Sequence, residues 1–487
     1  MPSTSTSRRV PGRYPPPGDS EIADRIRTRR GARGLTPLDG TLLHVPPIAD
    51  GWNKLLGAVR TGGKLGGDIR ELMILRVAAL NGAAFEWIQH EPVGRAEGLS
   101  TAQLYAIRDT SLSAPTPSVL TSLQAAALAF ADASTKHVKV PDDVFDALKS
   151  ELESSESGSS DDLVVEAVAV VATYNMVSRF LVSLDVAGKS DEAVPWPVDR
   201  VEHTIQIPNT SPSLSLHATA LTPPAPSGKW LVLVNSLLTD QHLWHKVTPA
   251  LTRAGYTILL YDQRGHGQST PPPEGAAWTI GDLADDIALL IKTLCPERAV
   301  HAVVGVSLGG ASALAFGARH PALARKIVAC DTQARTPPAN VGAWDQRIAL
   351  AREAGMAQLA EATVGRWFPG GEALDLGWVR AMVAATPLTG FVSCARALQA
   401  YDLLAASPSA PALFDGQLPV LLLAGGRDGA LPATLGKLAG EWNAASGGAG
   451  GGRRVEYVEI EGAGHLPMVD RPEQWVDSVL KFLDEDA

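Results

Sequence analysis

Cysteine is scarce in this 487-residue chain: only Cys295, Cys330 and Cys394 occur, an odd set without CxxC spacing. That scarcity excludes a disulfide framework and a zinc ribbon and points to a reducing compartment, so the cytoplasm is the expected location. No apolar run approaches the ~20 residues of a membrane span, and no membrane partner is expected. The opening stretch MPSTSTSRRVPGRYPPPGDS lacks the apolar core of a secretory signal. Ser/Thr-rich with a few arginines, it reads as a disordered tail over residues 1–34. The closing LDEDA is not a peroxisomal address. Blocks of Lys and Arg are also missing, and the formal net charge of −10 argues against nucleic-acid binding.

What is present divides in two. The chain is too long for one ordinary core, so two domains are expected. Residues 35–190 read as an all-α unit. GDIRELMILRVAALNGAAFEWIQH, LTSLQAAALAFADAST and SDDLVVEAVAVVATYNMVSRFLVSL are long, Ala/Leu/Val-rich and free of internal proline. Asp68 and Ser160-Asp161-Asp162 supply helix-start signals. The boundary falls in the proline-containing segment near Pro195 to Arg200. Beyond it, over 200–487, come VEHTIQI, LSLHATAL, WLVLVN, YTILLYD, AVHAVVGV, ARKIVACD, PVLLLAG and RVEYVEIEG, short β-branched runs mostly separated by helical stretches. This alternation predicts an α/β fold with a mostly parallel sheet covered on both faces. The longest interruption, about 332–416, is helical enough to be a cap. SGGAGGGRR (Ser446 to Arg454) reads as a flexible surface loop.

In AVVGVSLGG, Gly305-Val306-Ser307-Leu308-Gly309 forms a GxSxG between a β-branched strand and an Ala-rich helix. A strand-to-helix turn of this kind strains the serine, exposes its hydroxyl and sets it beside a helix N-terminus. An acid and then a histidine should follow, each after a later strand. PVLLLAGGRDG provides Asp428, and EGAGHLPMVD provides His465. Ser307 is thus expected as nucleophile, His465 as base and Asp428 as its orienting acid, with Asp331 as the rival acid. His266, between glycines, is expected to shape its loop. In NSLLTDQHLW, Ser236 with His242 or His245 imitates a catalytic set, but no helix begins directly behind Ser236. Its loop is placed to supply an oxyanion N–H from Leu237, beside that of Leu308.

These residues carry a resemblance. The C-terminal part resembles the α/β-hydrolases, and within them the 3-oxoadipate enol-lactonases, through Asn235-Ser236-Leu237 with Thr239-Asp240 and Trp244, through YDQRGHGQS, and through WDQRI (Trp344 to Ile348). Leu238 departs from the pattern, where that family usually has glycine. The resemblance implies a lactone substrate opened through an acyl-enzyme, with Ser236 and Trp344 near it. Because the substrate carries a carboxylate, a cation is expected at the pocket, with Arg347 and Arg427 as candidates.

In the helical unit Glu71, Arg76, Glu86 and His90 lie on adjoining turns, with Glu86 and His90 spaced i, i+4 on one face. HEPVG is not HExxH, and Pro92 should break the helix. The segment resembles the carboxymuconolactone decarboxylase family, which includes the alkylhydroperoxidase D group. Counting from Glu71, the peroxidase CxxCxxxH positions hold Ala83, Glu86 and His90, so thiol peroxidase chemistry is impossible. The resemblance implies a decarboxylase with His90 as acid or donor, Glu86 tuning it, and Arg76 or His44 holding a carboxylate. It also implies assembly into a homo-oligomer through the helices. Neither a cofactor nor a metal is implied. The two likenesses together predict a bifunctional enzyme of the 3-oxoadipate pathway in aromatic catabolism. The alternative is a single-activity serine esterase or lactonase with a non-catalytic helical assembly domain.

Overall fold

A computed structural model describes residues 9–111, 119–155, 160–371, 374, 376–405, 418–445 and 455–485. The expected loop Ser446 to Arg454 lies outside the described residues. Two compact units emerge, Met1–Pro197 and Val198–Ala487.

The first unit contains α1 (Glu21–Arg30), α2 (Pro37–Leu42), α3 (Pro46–Thr61), α4 (Gly67–Leu80), α5 (Ala84–Ala96), α6 (Thr101–Arg108), α7 (Ser122–His137), α8 (Asp142–Ser155) and α9 (Ser160–Ser183), with no strand among its described residues. Helix α4 is its centre: Ile69, Leu72, Met73, Ile74, Leu75 and Val77 are all buried, and α5, α7 and α9 pack around it. A helix apolar on every face belongs inside a bundle.

Four expectations change here. The stretch from Gly67 to His90 is two helices, because the chain turns at Gly82, whose φ of 64° suits glycine. Pro92 does not end α5; its ring is exposed, so the missing N–H leaves only a solvent-facing carbonyl unpaired. The tail expected over 1–34 is helical from Glu21. Ser20 caps α1, and Ala23 and Ile26 are buried in the core, while residues 1–8 lie outside the described residues. Finally, Asp161–Ser183 is long and apolar enough to cross a membrane by length and composition, although just over half of it is buried. It packs against α4, α7 and α8.

The second unit contains β1 (Asp199–Ile207), β2 (Leu214–Thr222), β3 (Trp230–Val234), α10 (Thr248–Arg253), β4 (Thr257–Tyr261), α11 (Ile280–Leu294), β5 (Val300–Val306), α12 (Leu308–Arg319), β6 (Ala324–Cys330), α13 (Pro338–Trp367), α14 (Gly377–Ala385), α15 (Leu388–Ala400), β7 (Val420–Gly425), α16 (Leu431–Ala445), β8 (Val455–Ile460), α17 (Pro467–Asp470) and α18 (Pro472–Asp484). The eight strands form one sheet in the order β1-β2-β4-β3-β5-β6-β7-β8. Strand β2 runs antiparallel to both β1 and β4, and the pairs from β4 through β8 are parallel. β3, β4 and β7 are buried almost throughout, as strands covered on both faces must be. Helices α13, α14 and α15 interrupt the sheet between β6 and β7. In α13, Gly355 at φ 85° breaks the helical phase.

Candidate active sites

The parallel strands end at one rim, the usual place for chemistry in such sheets. After β5 comes Ser307, with φ 57° and ψ −115°, as the N-cap of α12. This left-handed geometry is strained for a serine and is sustained by its surroundings. Its N–H donates to the Cys330 carbonyl at 2.8 Å. A Cβ on Gly305 would collide with the Gly309 carbonyl, and one on Gly309 with those of Val234 and Asn235. Both glycines are therefore required for the helix to start this close to β3.

After β7 and β8 come Asp428 and His465, joined by an Nδ1–Oδ2 contact of 2.6 Å. The His465 backbone N–H donates to the Trp367 carbonyl at 2.8 Å, and the two rings stack with centroids 5.8 Å apart. The cap thus holds the imidazole from one side while Asp428 holds it from the other. Ser307, Asp428 and His465 all line one cavity of about 350 Å³. A hydroxyl on a strained turn and an imidazole anchored by a carboxylate can perform base-assisted acyl transfer. The backbone N–H groups of Leu237 and Leu308 have no acceptor among the described residues; Leu237 lines the cavity with Ser307, and Leu308 directly follows Ser307 in the chain.

Asp331 lies beneath this set, 1% exposed. One of its oxygens accepts the Gly425 N–H at 2.7 Å. Ligand atoms of Asp331, Asp428 and His465 fall within 4.8 Å of one another. Burial, and then the Asp428 charge, push the Asp331 carboxyl well above the usual range. Burial acts the same way on Asp428, but the His465 ring, Asp331 and Arg366 overcome it and hold Asp428 below its ordinary value. With both carboxyls ionised, Asp331 Oδ2 has no partner; protonated, it donates to Asp428. Asp331 is therefore a neutral neighbour of the acid, and its hydrogen bonding accounts for the cluster without a metal.

The cap supplies the cations. Arg347 reaches the cavity with its guanidinium 4.5 Å from the Trp344 ring centroid, and burial lowers its pKa. Arg366 lines the same cavity; burial and the charge of Arg347 bring it down to about 10. Its side chain nevertheless remains exposed to solvent. Neither arginine meets a carboxylate among the described residues. Leu359, Phe391 and Leu398 form an apolar wall.

The loop after β3 is mostly structural. Asn235 accepts the Trp244 indole N–H at 2.8 Å and donates to the Tyr261 carbonyl at 2.7 Å. Asp240 caps the turn containing His242, and His242 stacks on His245 outside the cavity. Ser236 is fully buried with an unpartnered hydroxyl and does not line the cavity, which corrects its expected substrate contact. Leu238, at φ 68°, does line it. Its N–H donates to His266 Nε2 at 3.2 Å. His266 is kept neutral, its pKa lowered to about 4 by burial, and it shapes the loop as expected.

In the helical unit His90 Nδ1 lies 2.7 Å from Glu71 Oε2, and Tyr174 Oη lies 3.2 Å from His90 Nε2. Arg60 Nε donates to Tyr174 Oη at 2.6 Å. Burial lowers the His90 pKa against the opposing pull of Glu71. Glu86 makes no hydrogen bond to His90, contrary to expectation. Both its carboxyl oxygens lie within 3.1 Å of Ser178 Oγ, and burial pushes its pKa well above the usual range. Arg76 is spent on Asp132 and on the carbonyls of Ile107 and Asp109. His44 bonds the Pro11 carbonyl. Arg76 is structural, since all its donor nitrogens are already occupied.

Residues 229–472 match the family described as alpha/beta hydrolase fold. The chain belongs to that family. Residues 46–128 match the carboxymuconolactone decarboxylase family. Over 258 residues the chain is 27% identical to 3-oxoadipate enol-lactonase 2 of Acinetobacter baylyi, covering 52% of this chain and 88% of that protein. 3-Oxoadipate enol-lactonase 1 of the same organism is 26% identical over the same shares. Among solved structures, the enol-lactonase from Burkholderia xenovorans LB400 is 30% identical over 56% of this chain and 97% of that one, with a TM-score of 0.46.

Of the residues expected at the α/β-hydrolase site, Ser307, Leu237, Trp344, Arg347, Asp428 and His465 line one cavity, and Leu308 adjoins Ser307. Arg427 does not line it; its backbone N–H instead donates to Ala463. Arg366 was not legible in the sequence, because the phase break at Gly355 removes any helical spacing that would pair it with Arg347. In the helical unit, Arg60 and Tyr174 were missed because no single helix carries the set.

Proposed function

We propose that the chain is bifunctional, decarboxylating carboxymuconolactone in its helical unit and hydrolysing the resulting enol-lactone in its α/β-hydrolase unit. One observation carries this reading: a hydrolase similar in sequence to enol-lactonases is joined to a segment of the decarboxylase family. The second reaction consumes what the first produces. Ser307 attacks the lactone carbonyl, His465 takes its proton, and the N–H groups of Leu237 and Leu308 receive the oxyanion. Ring opening expels an enolate that collapses to a ketone. Water activated by His465 then releases the acid. The retained carboxylate of the lactone suits Arg347 and Arg366, two cations in ion-pair contact with no carboxylate among the described residues.

The cytoplasm suits three buried free cysteines. Assembly through the helical unit is supported by Val165, Val168 and Met176, exposed along one side of α9. Light scattering should find a defined oligomer that Val165→Glu dissociates. The hydrolase half is tested by giving the intact chain 3-oxoadipate enol-lactone. The reading expects saturable formation of 3-oxoadipate that Ser307→Ala abolishes, and hydrolysis of simple aryl esters alone would oppose it.

A further inference from the structure

The hydrogen bonds around His90 have a fixed direction. Arginine only donates, so Tyr174 Oη must accept from Arg60 Nε at 2.6 Å. The Tyr174 O–H is then free to donate to His90 Nε2 at 3.2 Å. His90 Nε2 is therefore an acceptor, and its proton sits on Nδ1, facing Glu71 Oε2 at 2.7 Å. The chain runs Arg60 to Tyr174 to His90 to Glu71, which leaves His90 no proton to give on its Tyr174 side. Tyr174, Glu71 and Glu86 are at most 2% exposed. The head of the chain differs. Arg60, in the last turn of α3, is half-buried; its Nη2 also lies 3.4 Å from His90 Nε2, and it has no carboxylate within ion-pair distance and no partner at Nη1 among the described residues. A half-buried guanidinium without a carboxylate of its own can receive an anion. Glu86 lies one turn before His90 on the same helix and also senses Arg60.

We propose that Arg60 receives a substrate carboxylate in the helical unit, that the Tyr174–His90–Glu71 chain positions its guanidinium, and that the Glu86 carboxyl is the proton donor. This rests on the decarboxylase reading above. Held on its retained carboxylate, carboxymuconolactone loses the other one as CO₂. The C–C electron pair stays on the ring as a dienolate, and the Glu86 O–H proton forms the new C–H bond. The Glu86 carboxylate then regains a proton from water, so one solvent proton is consumed per CO₂ released. Keeping Glu86 protonated is what its burial accomplishes, against the opposing pull of the Ser178 hydroxyl and of Arg60. The sequence-based role of His90 as acid is replaced by a positioning role.

The test follows CO₂ release from carboxymuconolactone by the full chain. Arg60→Gln should raise KM at least tenfold with a smaller change in kcat, and Arg60→Lys should recover part of it. Tyr174→Phe, which keeps the ring packing, should raise KM several-fold. Glu86→Gln should lower kcat at least a hundredfold with KM little changed. An unaltered KM in Arg60→Gln, or near-normal turnover in Glu86→Gln, overturns the proposal. If the unmodified chain releases no CO₂, the decarboxylase reading fails, and calorimetry with glutarate decides the anion site separately. In a chain carrying Arg347→Gln and Arg366→Gln, glutarate should bind and Arg60→Gln should weaken it tenfold or more. No binding, or binding indifferent to Arg60→Gln, removes the site as well.

Discussion

Replacing Asp331 with asparagine isolates the buried carboxyl pair beneath His465. If both acids were ionised, charges within 4.8 Å would repel by roughly 3.5 kcal/mol or more at an effective dielectric constant of about 20. Burial and that repulsion raise the Asp331 pKa, so the folded protein holds a proton that the unfolded chain releases above ~3.9. The sign follows from linkage: where the native state binds more protons, stability falls as pH rises. The expected slope from Asp331 is about −1.4 kcal/mol per pH unit above the unfolded value, until the folded pKa is passed. Asp428, with its lowered pKa, contributes oppositely, and only as pH falls below the unfolded value. The asparagine of Asp331→Asn cannot titrate, yet its amide N–H donates to Asp428 as the carboxyl O–H did. The variant should therefore gain stability relative to the parent as pH rises above ~3.9, until the folded Asp331 pKa is passed, while kcat falls less than tenfold. Urea unfolding read by tryptophan fluorescence suits the purpose, since all tryptophans except Trp52, Trp87 and Trp196 lie in the hydrolase unit. Parallel pH profiles for the two proteins would refute the neutral Asp331.

Leu238→Gly sets two effects against each other. Removing φ strain returns about 1–2 kcal/mol, whereas deleting a buried leucine side chain costs about 2–5 kcal/mol. A net loss of roughly 1–3 kcal/mol is expected in urea melts, with a roomier pocket, and a clear gain in stability would contradict the loop geometry. Arg347→Gln and Arg366→Gln should each raise KM for a carboxylate-bearing lactone by about 10-fold or more, the worth of a charge-assisted hydrogen bond. Uncharged esters should be unaffected, and equal losses on both substrates would point to damage instead. Ser178→Ala leaves the buried Glu86 carboxyl without its partner, so the helical unit should lose about 1–3 kcal/mol, measured by thermal melting of its helical signal. An unchanged melt would place Glu86 in contact with water.

Strands β3 to β7 were legible because strands covered on both faces are near-continuous apolar runs, whereas the antiparallel, largely exposed β1 was legible only from its β-branched alternation. Ser307 was legible because Gly305 and Gly309 are dictated by backbone collisions within a few residues of it. Leu238 was flagged by its departure from a pattern, and its φ of 68° supplies the reason for the pattern. Long-range pairings were not legible. His90 meets Glu71 across two helices, not Glu86 along one, because periodicity describes the face of a helix and not what packs against it. The turn at Gly82 hid inside an alanine-rich run, and Asp331 gave no sign of being neutral, since that depends on Asp428, 97 residues later in the chain.

The most direct measurement of the two-step account is to supply carboxymuconolactone to the Ser307→Ala chain and follow CO₂ and ring opening separately. The account expects CO₂ release to continue while enol-lactone accumulates unopened. A Ser307→Ala chain that releases no CO₂ and accumulates no enol-lactone would contradict it, leaving a single-activity hydrolase carrying a helical assembly unit.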